Sequence, residues 1–145
     1  MTCYLDSSVL LRVIFGERGR LREWSRIRQG VTSSLARVEC LRTIDRARIR
    51  LSLSDAEVSS RRQAFFDVYE RLDVIRLSAA VLERAEAPLP TSLGTLDAVH
   101  LASALLWQES ERAKLAFGTH DEQLALAARA VGVDVIGVRR SSRPS

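Results

Sequence analysis

Short apolar segments alternate with longer helical segments along the whole of this sequence, and this alternation restricts the fold more than any other feature. Thr2–Leu5 and Val31–Ser33 have the short apolar pattern of buried strands. A helix opens at Ser54, which stands three residues before Glu57 in a capping-box pattern. Strands that alternate with helices imply right-handed crossovers and a parallel sheet. We therefore predict an α/β fold, a small open parallel sheet with helices on both faces.

The complete prediction contains five strands and seven helices. The strands cover residues 2–5, 31–33, 73–77, 114–118 and 133–138, and the helices cover residues 7–15, 21–28, 35–50, 54–71, 78–87, 95–108 and 122–131. Thr95 is the expected N-cap of its helix. With 145 residues, the chain has the length of one domain. We predict a single domain over residues 1–138, followed by a basic, disordered tail over residues 139–145.

The two cysteines and the lack of targeting signals indicate a cytoplasmic protein. Cys3 and Cys40 lie far apart among apolar residues, so we expect buried free thiols. No segment approaches the roughly 18 apolar residues of a membrane span, and the first residues do not resemble a signal peptide. Together these features predict a reducing compartment and no membrane association.

Arginine supplies nearly all of the positive charge. The chain has 22 basic and 18 acidic residues and a formal charge of +4, and Lys114 is its only lysine. Residues 1–50 hold eleven arginines against five acids, whereas residues 51–100 are net acidic. Arginine matches phosphate groups with two parallel hydrogen bonds. The charge pattern is consistent with a nucleic-acid partner, but arginine-rich codon usage would produce the same composition.

Two acidic residues follow predicted strands, where parallel α/β sheets bind ligands. Asp6 comes directly after the first strand, and Asp121 comes shortly after the fourth. Ligands of such sheets bind beyond the carboxyl ends of the strands, near the point where strand order reverses. The alternative is that both aspartates simply cap the helices that they precede.

Two further acidic residues stand in unusual helical surroundings. Asp97 lies in an otherwise apolar helix, where a carboxylate is costly to bury without a partner. Glu39 has Arg42, Thr43 and Arg46 at helical spacing, so an ordinary surface ion pair is its alternative role. Asp97 in turn could serve only the N-terminus of its helix. Converging carboxylates repel each other and require a cation, and oxygen-only ligation suits Mg²⁺ or Mn²⁺. This combination describes a metal-dependent nuclease.

Four motifs in order resemble those of the PIN-domain family, and specifically its VapC-type ribonuclease toxins. Residues 4–11 resemble the opening strand that ends in Asp and Ser, and residues 33–39 resemble the second motif with its Glu. Residues 93–104 resemble the third and most specific motif, and residues 118–124 resemble the fourth. The resemblance covers nearly the whole chain and implies a PIN-like three-layer sandwich.

The resemblance also implies a set of functional residues. The metal-binding and catalytic set that it implies is Asp6, Glu39, Asp97 and Asp121, with Mg²⁺ or Mn²⁺ as cofactor. It further implies that the hydroxyls of Ser7 and Thr119 orient a carboxylate or a water molecule. We expect His120 to be a neighbour of the site and His100 to be structural.

The implied activity is hydrolysis of RNA phosphodiesters by a toxin that is inhibited by a VapB-type antitoxin. The resemblance implies a homodimer and an antitoxin segment in the cleft. Arg42 and Arg46 are our guesses for contacts with RNA or antitoxin, although a solvated helix face is an equal alternative. Trp24 and Phe15 either line an antitoxin groove or, as we favour, pack in the core.

Two other functions were compared with this one. A response-regulator receiver domain is also a small parallel α/β fold with acidic strand ends, but here Asp73 begins a strand where a receiver's phosphoacceptor would end one. Lys114 likewise precedes its strand, whereas a receiver's lysine follows one. A catalytically inactive PIN-like module that binds RNA or a partner is the second alternative, against which the presence of all four acids argues.

Overall fold

Five parallel strands and six α-helices form the described part of the chain, which is residues 1–140 of a computed structural model. The strands are β1 (Thr2–Leu5), β2 (Gln29–Ser33), β3 (Asp73–Ile75), β4 (Ala116–Gly118) and β5 (Asp134–Ile136). The helices are α1 (Ser7–Ile14), α2 (Ser34–Arg50), α3 (Asp55–Tyr69), α4 (Ala79–Glu86), α5 (Thr95–Glu111) and α6 (Glu122–Ala130). The predicted α/β class with a parallel sheet is therefore confirmed.

The order of the strands fixes where a ligand would bind. The sheet has the order β3-β2-β1-β4-β5, with every neighbouring pair parallel. The chain moves outward from β1 to β3 and then returns to the other side of β1 for β4. The strand order thus reverses between β1 and β4, where Leu5 is paired with Gly118. The carboxyl ends of these two strands form the crevice in which α/β sheets bind ligands.

Alternation along β1 divides the core into two layers. Cys3 and Leu5 face a cluster with α1, α2 and α3, whereas Tyr4 faces a second cluster with α5 and α6. Successive side chains of a strand point to opposite faces, so a central strand must be apolar throughout. A third cluster joins α4 to α5 through Val81 and Val99. The sheet is therefore the middle layer of a three-layer sandwich, as predicted.

The helix predicted for residues 21–28 is wrong. Only a single 3₁₀ turn, Trp24–Arg26, forms there. Leu21, Trp24 and Ile27 are three residues apart and pack together against the first cluster. A spacing of three fits the 3.0 residues per turn of a 3₁₀-helix better than the 3.6 of an α-helix. The Arg28 N–H then bonds the Met1 carbonyl at 2.9 Å, and this bond draws the chain toward β2.

Smaller corrections concern the ends of elements. The N-cap of α5 is Gly94 rather than Thr95, which is the first helical residue. The strands β3, β4 and β5 have three residues each and are shorter than predicted. The capping box of α3 is present as predicted, with Ser54 and Glu57 each bonded to the other's backbone N–H. Element types are thus more predictable than element ends.

Other expectations concern the tail, the membrane and the thiols. Residues 141–145 of the predicted tail lie outside the described residues, so the division into a domain of residues 1–138 and a tail of residues 139–145 stays a prediction. None of the described helices is both long and apolar enough to cross a membrane. Cys3 and Cys40 are buried free thiols, as expected.

Candidate active site

Asp6 lies at the centre of the crevice between β1 and β4. It follows β1 directly and is only 3% exposed. Its Oδ1 atom accepts hydrogen bonds from the Ser8 hydroxyl at 2.6 Å and from the Val9 N–H at 3.1 Å. Its Oδ2 atom accepts one from the Thr119 hydroxyl at 2.5 Å. Asp6 is therefore the N-cap of α1 and, at the same time, a buried carboxylate at the predicted site.

Burial raises the pKa of the Asp6 carboxyl, while the Ser8 and Thr119 hydroxyls act in the opposite direction. A buried carboxylate is costly unless its oxygens accept hydrogen bonds, and these donors meet that requirement. We predicted that Ser7 would orient a carboxylate or a water molecule, and the structure gives the contact with the Asp6 carboxylate to Ser8. Ser7 donates no side-chain hydrogen bond to any residue in the described range. Thr119 contacts Asp6 as predicted.

Thr119 also connects Asp6 to Asp121. The fully buried Thr119 hydroxyl accepts a hydrogen bond from the Asp121 N–H at 3.0 Å. The Asp121 side chain is exposed and caps α6 through the Leu124 N–H at 2.8 Å. Asp121 therefore caps α6 and is also linked to Asp6 through Thr119, so the two interpretations are compatible. The hydroxyl fixes the position of the loop that carries this second aspartate.

Glu39 approaches the crevice from α2 and is bound by a histidine from α5. The His100 Nε2 atom lies 2.5 Å from Glu39 Oε1, and His100 Nδ1 lies 2.7 Å from the Tyr4 hydroxyl. Tyr4 is fully buried and His100 is 1% exposed, whereas the Glu39 side chain is 22% exposed. Burial raises the pKa of Tyr4 well above its ordinary value, so its hydroxyl keeps its proton. The Nε2–H of His100 donates to the Glu39 carboxylate, and the Tyr4 hydroxyl bonds Nδ1 on the other side of the ring.

Asp97 differs from the other three acids in its surroundings. It lies in the first turn of α5 and is half-buried, and within residues 1–140 no donor bonds its carboxylate. Burial raises the pKa of Asp97, and the charges of Asp121, Asp6 and Glu39 raise it further, while His100 opposes them. Each of these charges acts on Asp97, so the acids contribute to one negative site at this edge of the sheet. The crevice is therefore an acidic site. Of its four carboxylates, that of Asp97 is the one that accepts no hydrogen bond from residues 1–140.

The four acids fit a hard divalent cation by their chemistry, since they offer oxygen ligands only. Their mutual repulsion is the electrostatic condition that a cation relieves. The side chains do not, however, form a complete metal-binding group as they stand. Among the described residues, no three or more His, Cys, Asp or Glu side chains are arranged to hold a metal. Asp6 and Glu39 are instead occupied by hydrogen-bond donors from the protein.

His120 lies next to the acids, as predicted, and faces away from them. Its backbone N–H bonds the Ser8 hydroxyl oxygen at 3.0 Å, whereas its ring lies near the Gly137 carbonyl. Burial and the charge of Arg12 lower the pKa of the His120 ring. The ring is therefore neutral near pH 7.

The four remaining sequence predictions concern Arg42, Arg46, Trp24 and Phe15. Arg42 forms an exposed ion pair with Asp45 at 2.9 Å, and Arg46 donates to the Thr43 hydroxyl at 3.2 Å. Trp24 and Phe15 are partly buried against the first core cluster, as we favoured. Sequence reasoning missed Ser8 and Tyr4, and it gave His100 only a packing role. A histidine one turn after an aspartate in an apolar helix was the available signal.

Comparison with known proteins identifies the family of this chain. The family model of the PIN domain matches residues 3–130. This chain belongs to the PIN-domain family. It is 34% identical over 139 residues to Ribonuclease VapC46 of Mycobacterium tuberculosis, a match that covers 92% of this chain and 95% of the relative. It is 32% identical over 136 residues to Ribonuclease VapC47 of the same species, with 89% and 91% covered.

The same fold occurs in a solved toxin–antitoxin structure. VapBC2 of Rickettsia felis, solved with a DNA fragment from its promoter, superposes on this PIN domain with a TM-score of 0.61. The match covers 93% of this chain and 97% of that chain, at 14% sequence identity. The three-layer architecture of this PIN domain is therefore the VapC architecture, and the two curated relatives assign the chain to the VapC group.

Proposed function

We propose that this PIN domain is an endoribonuclease that depends on a divalent cation, Mg²⁺ or Mn²⁺, and acts as the toxin of a toxin–antitoxin pair. The observation that carries the proposal is the environment of the Asp97 carboxylate. Its half-buried carboxylate lacks a hydrogen-bond donor within residues 1–140 and lies one helical turn before His100, which bonds Glu39. The charges of Asp121, Asp6 and Glu39 raise its pKa. A bound cation would relieve this repulsion. The naming of both curated relatives as ribonucleases supports RNA as the substrate.

Each acidic residue has a distinct part in the proposed mechanism. Asp97 and Asp6 would hold the cation, and Glu39 and Asp121 would complete its surroundings. A divalent cation at this position supplies activation of water and neutralisation of charge on the phosphodiester. The protein prepares the site by fixing the carboxylates of Asp6 and Glu39 before RNA binds, because preorganised groups need not rearrange during the reaction.

Three hydrogen-bonding groups provide that preorganisation. Ser8 and Thr119 hold the two oxygens of Asp6, so its carboxylate has one orientation. His100 holds Glu39 and is itself held by Tyr4. Groups that orient a ligand commonly change metal affinity or activity by about 10- to 100-fold when removed. We therefore assign Ser8, Thr119 and His100 as positioning residues.

The proposed partners follow from the relatives. We infer a VapB-type antitoxin partner, since the solved neighbours include VapBC complexes and a toxin–antitoxin complex from Klebsiella pneumoniae. We also infer a homodimer and action in the cytoplasm, where RNA is available and where buried thiols such as Cys40 stay reduced. These inferences extend the sequence predictions and require their own tests.

The decisive experiment compares cleavage of RNA by the full chain with cleavage by Asp97→Asn. A labelled single-stranded RNA of mixed sequence is incubated with Mn²⁺, with Mg²⁺ and with EDTA. A metal ion contributes several kcal/mol and 1.36 kcal/mol is tenfold in rate, so Asp97→Asn should reduce cleavage by about a hundredfold or more. Asp67→Asn, an exposed change on α3, is the matched control and should cleave like the unchanged chain.

Two results would contradict the proposal. Cleavage that is equal in Mn²⁺ and EDTA would exclude the metal mechanism. RNA binding without any cleavage by the unchanged chain would favour the inactive binding module that the sequence left open.

A further inference from the structure

A pocket with four arginines lies beside the acidic crevice. Its cavity volume is about 370 Å³, and it is lined by Arg12, Arg20, Arg22 and Arg139, with Glu23 as its one acidic residue. We call these four arginines and the cavity between them the basic pocket. Its charge is opposite to that of the crevice, although both open at the carboxyl edge of the sheet.

The arginines of the basic pocket have no carboxylate partners among residues 1–140. The arginine–carboxylate pairs of this range lie elsewhere and involve Arg42, Arg48 and Arg84. Arg20, Arg22 and Arg139 are exposed, so their guanidinium groups are available to a ligand. Arg12 is partly buried and donates to the Gly19 carbonyl at 3.0 Å. Arg12 therefore holds the loop that presents Arg20 and Arg22.

Two glycines allow the pocket to form. Gly137 has a φ of +98°, and a Cβ atom there would stand 2.1 Å from the Thr119 carbonyl oxygen. Gly19 has a φ of +85°, and a Cβ atom there would stand 2.9 Å from Arg12 Nη1. Only glycine adopts such backbone conformations without strain. The end of β5 can therefore lie close to the Thr119 carbonyl, and the loop before the 3₁₀ turn can lie close to the Arg12 side chain.

One residue connects the basic pocket to the crevice. The His120 ring lines the pocket, whereas the His120 N–H bonds the Ser8 hydroxyl that in turn bonds Asp6. A ligand in the pocket therefore lies a single residue away from the groups around Asp6. An extended ligand with repeated charges would contact both places.

We propose that the basic pocket binds the phosphate backbone of the RNA substrate next to the position of cleavage. This inference rests on the proposed function and names the surface that would hold the substrate. Each exposed guanidinium offers a planar set of donors that matches a phosphate group. The carboxyl groups of Asp6 and Asp97 bind no phosphate themselves, so the pocket supplies the attraction that the crevice lacks.

RNA is favoured over an acidic peptide by the position of the pocket. A single strand carries one phosphate at every nucleotide, so one strand can fill the pocket and also extend to the crevice. An acidic peptide needs only the pocket and gains nothing from its continuity with Asp6. The sequence prediction had named Arg42 and Arg46 for contacts with RNA or antitoxin, and Arg42 is paired with Asp45.

The test measures RNA affinity and its salt dependence in the Asp97→Asn background and in EDTA, which together suppress cleavage during the measurement. The probe is a fluorescein-labelled 20-nucleotide single strand of mixed sequence, followed by anisotropy. Arg20→Gln with Arg22→Gln is compared with Arg62→Gln plus Arg71→Gln, a control that removes the same charge from exposed, unpaired positions of the described chain. For single strands the salt slope is about −0.7 per phosphate contact, so losing two contacts should weaken binding about 25-fold at 0.1 M salt.

The double variant Arg20→Gln with Arg22→Gln should show this loss of about 25-fold in RNA affinity, and its slope of log affinity against log salt concentration should be smaller by about 1.4. The control double variant should show little change in either quantity. Equal losses for both pairs would overturn the proposal, because they would reflect net charge alone. A loss of polyglutamate binding with unchanged RNA affinity would assign the pocket to an acidic protein partner instead. Failure of the pocket is distinguishable from failure of the proposed function, since the unchanged chain would still cleave RNA with Mn²⁺.

Discussion

Replacing Thr119 with valine tests whether the buried Asp6 carboxylate depends on a charged hydrogen bond. Valine has the shape of threonine without the hydroxyl, so the fully buried site keeps nearly all of its volume and loses the bond to Asp6 together with the bond from the Asp121 N–H. Thr32 provides a matched comparison, because it is also fully buried and its hydroxyl donates to the Leu5 carbonyl at 2.7 Å. Thr119 instead donates to a carboxylate at 2.5 Å.

The expected magnitudes follow from the acceptors. A hydrogen bond to a neutral group contributes about 1 kcal/mol to stability, and one to a charged group contributes about 1.5 to 3 kcal/mol. Thr32→Val should therefore lower the free energy of unfolding by about 1 kcal/mol, and Thr119→Val should lower it by about 2 to 3 kcal/mol. For a chain of 145 residues, this difference of about 1 to 2 kcal/mol corresponds to about 3 to 7 °C in melting temperature.

The pH dependence gives a second check on the same argument. Burial raises the pKa of Asp6, so its ionisation costs more in the folded chain than in the unfolded chain. The associated stability is present at low pH and is lost as the pH rises through the folded pKa. Thr119→Val removes a donor that lowers this pKa, so its excess effect over Thr32→Val should be present at pH 7 and small near pH 3.5.

The assay is chemical denaturation of both variants and the unchanged chain in EDTA, at pH 7 and near pH 3.5. Equal destabilisation by the two variants at pH 7 would refute the charged bond. An excess that is the same at both pH values would refute the assignment of that excess to ionised Asp6.

Two further predictions concern the histidine and the thiols. His100→Phe keeps a buried ring but removes the donor to Glu39, so RNA cleavage and the Mn²⁺ affinity measured by calorimetry should both fall about 10- to 100-fold. Tyr4→Phe should have a smaller effect on both. Unchanged Mn²⁺ affinity in His100→Phe would contradict the positioning role. Burial raises the pKa of Cys3 to about 12 and also raises that of Cys40. Stability should therefore fall above about pH 8.5 by about 1.4 kcal/mol per pH unit per thiol, and a free energy of unfolding that stays constant from pH 8.5 to 10 would exclude this.

The strand pattern of the sequence placed Asp6 and Asp121 at the same edge of the sheet and left open whether each aspartate only caps a helix. Acidic residues after parallel strands meet at one edge of the sheet, and this conclusion needs only the strand and helix pattern. Local pattern could not decide between Ser7 and Ser8 as the donor to Asp6. Both serines follow the N-cap, and only the direction of each side chain in the first turn of α1 separates them.

The Glu39 contact shows where reasoning from helical spacing fails. Spacing places Glu39 beside Arg42 and Arg46, and an ion pair within α2 was a reasonable alternative. In the structure Arg42 pairs with Asp45, and His100 bonds Glu39 across 61 residues of sequence. Such a contact depends on how α2 and α5 pack against the sheet from opposite faces. Local sequence patterns do not predict this packing. The basic pocket is unpredictable for the same reason, since it joins residues near positions 12, 20 and 139.

The strand order explains why an acidic crevice and a basic pocket can work together. Asp6 of the crevice follows β1, the pocket is lined by the end of β5, and β4 lies between these two strands. Two strand spacings are about 10 Å, which is close to the Debye length of about 8 Å at physiological salt. At that separation one guanidinium offsets the repulsion between a carboxylate and a phosphate by about 0.4 kcal/mol in water and by about 1.7 kcal/mol at an effective dielectric constant of 20. Four guanidiniums therefore make the edge attractive to RNA without neutralising the carboxylates, whereas arginines two strands farther away would be screened.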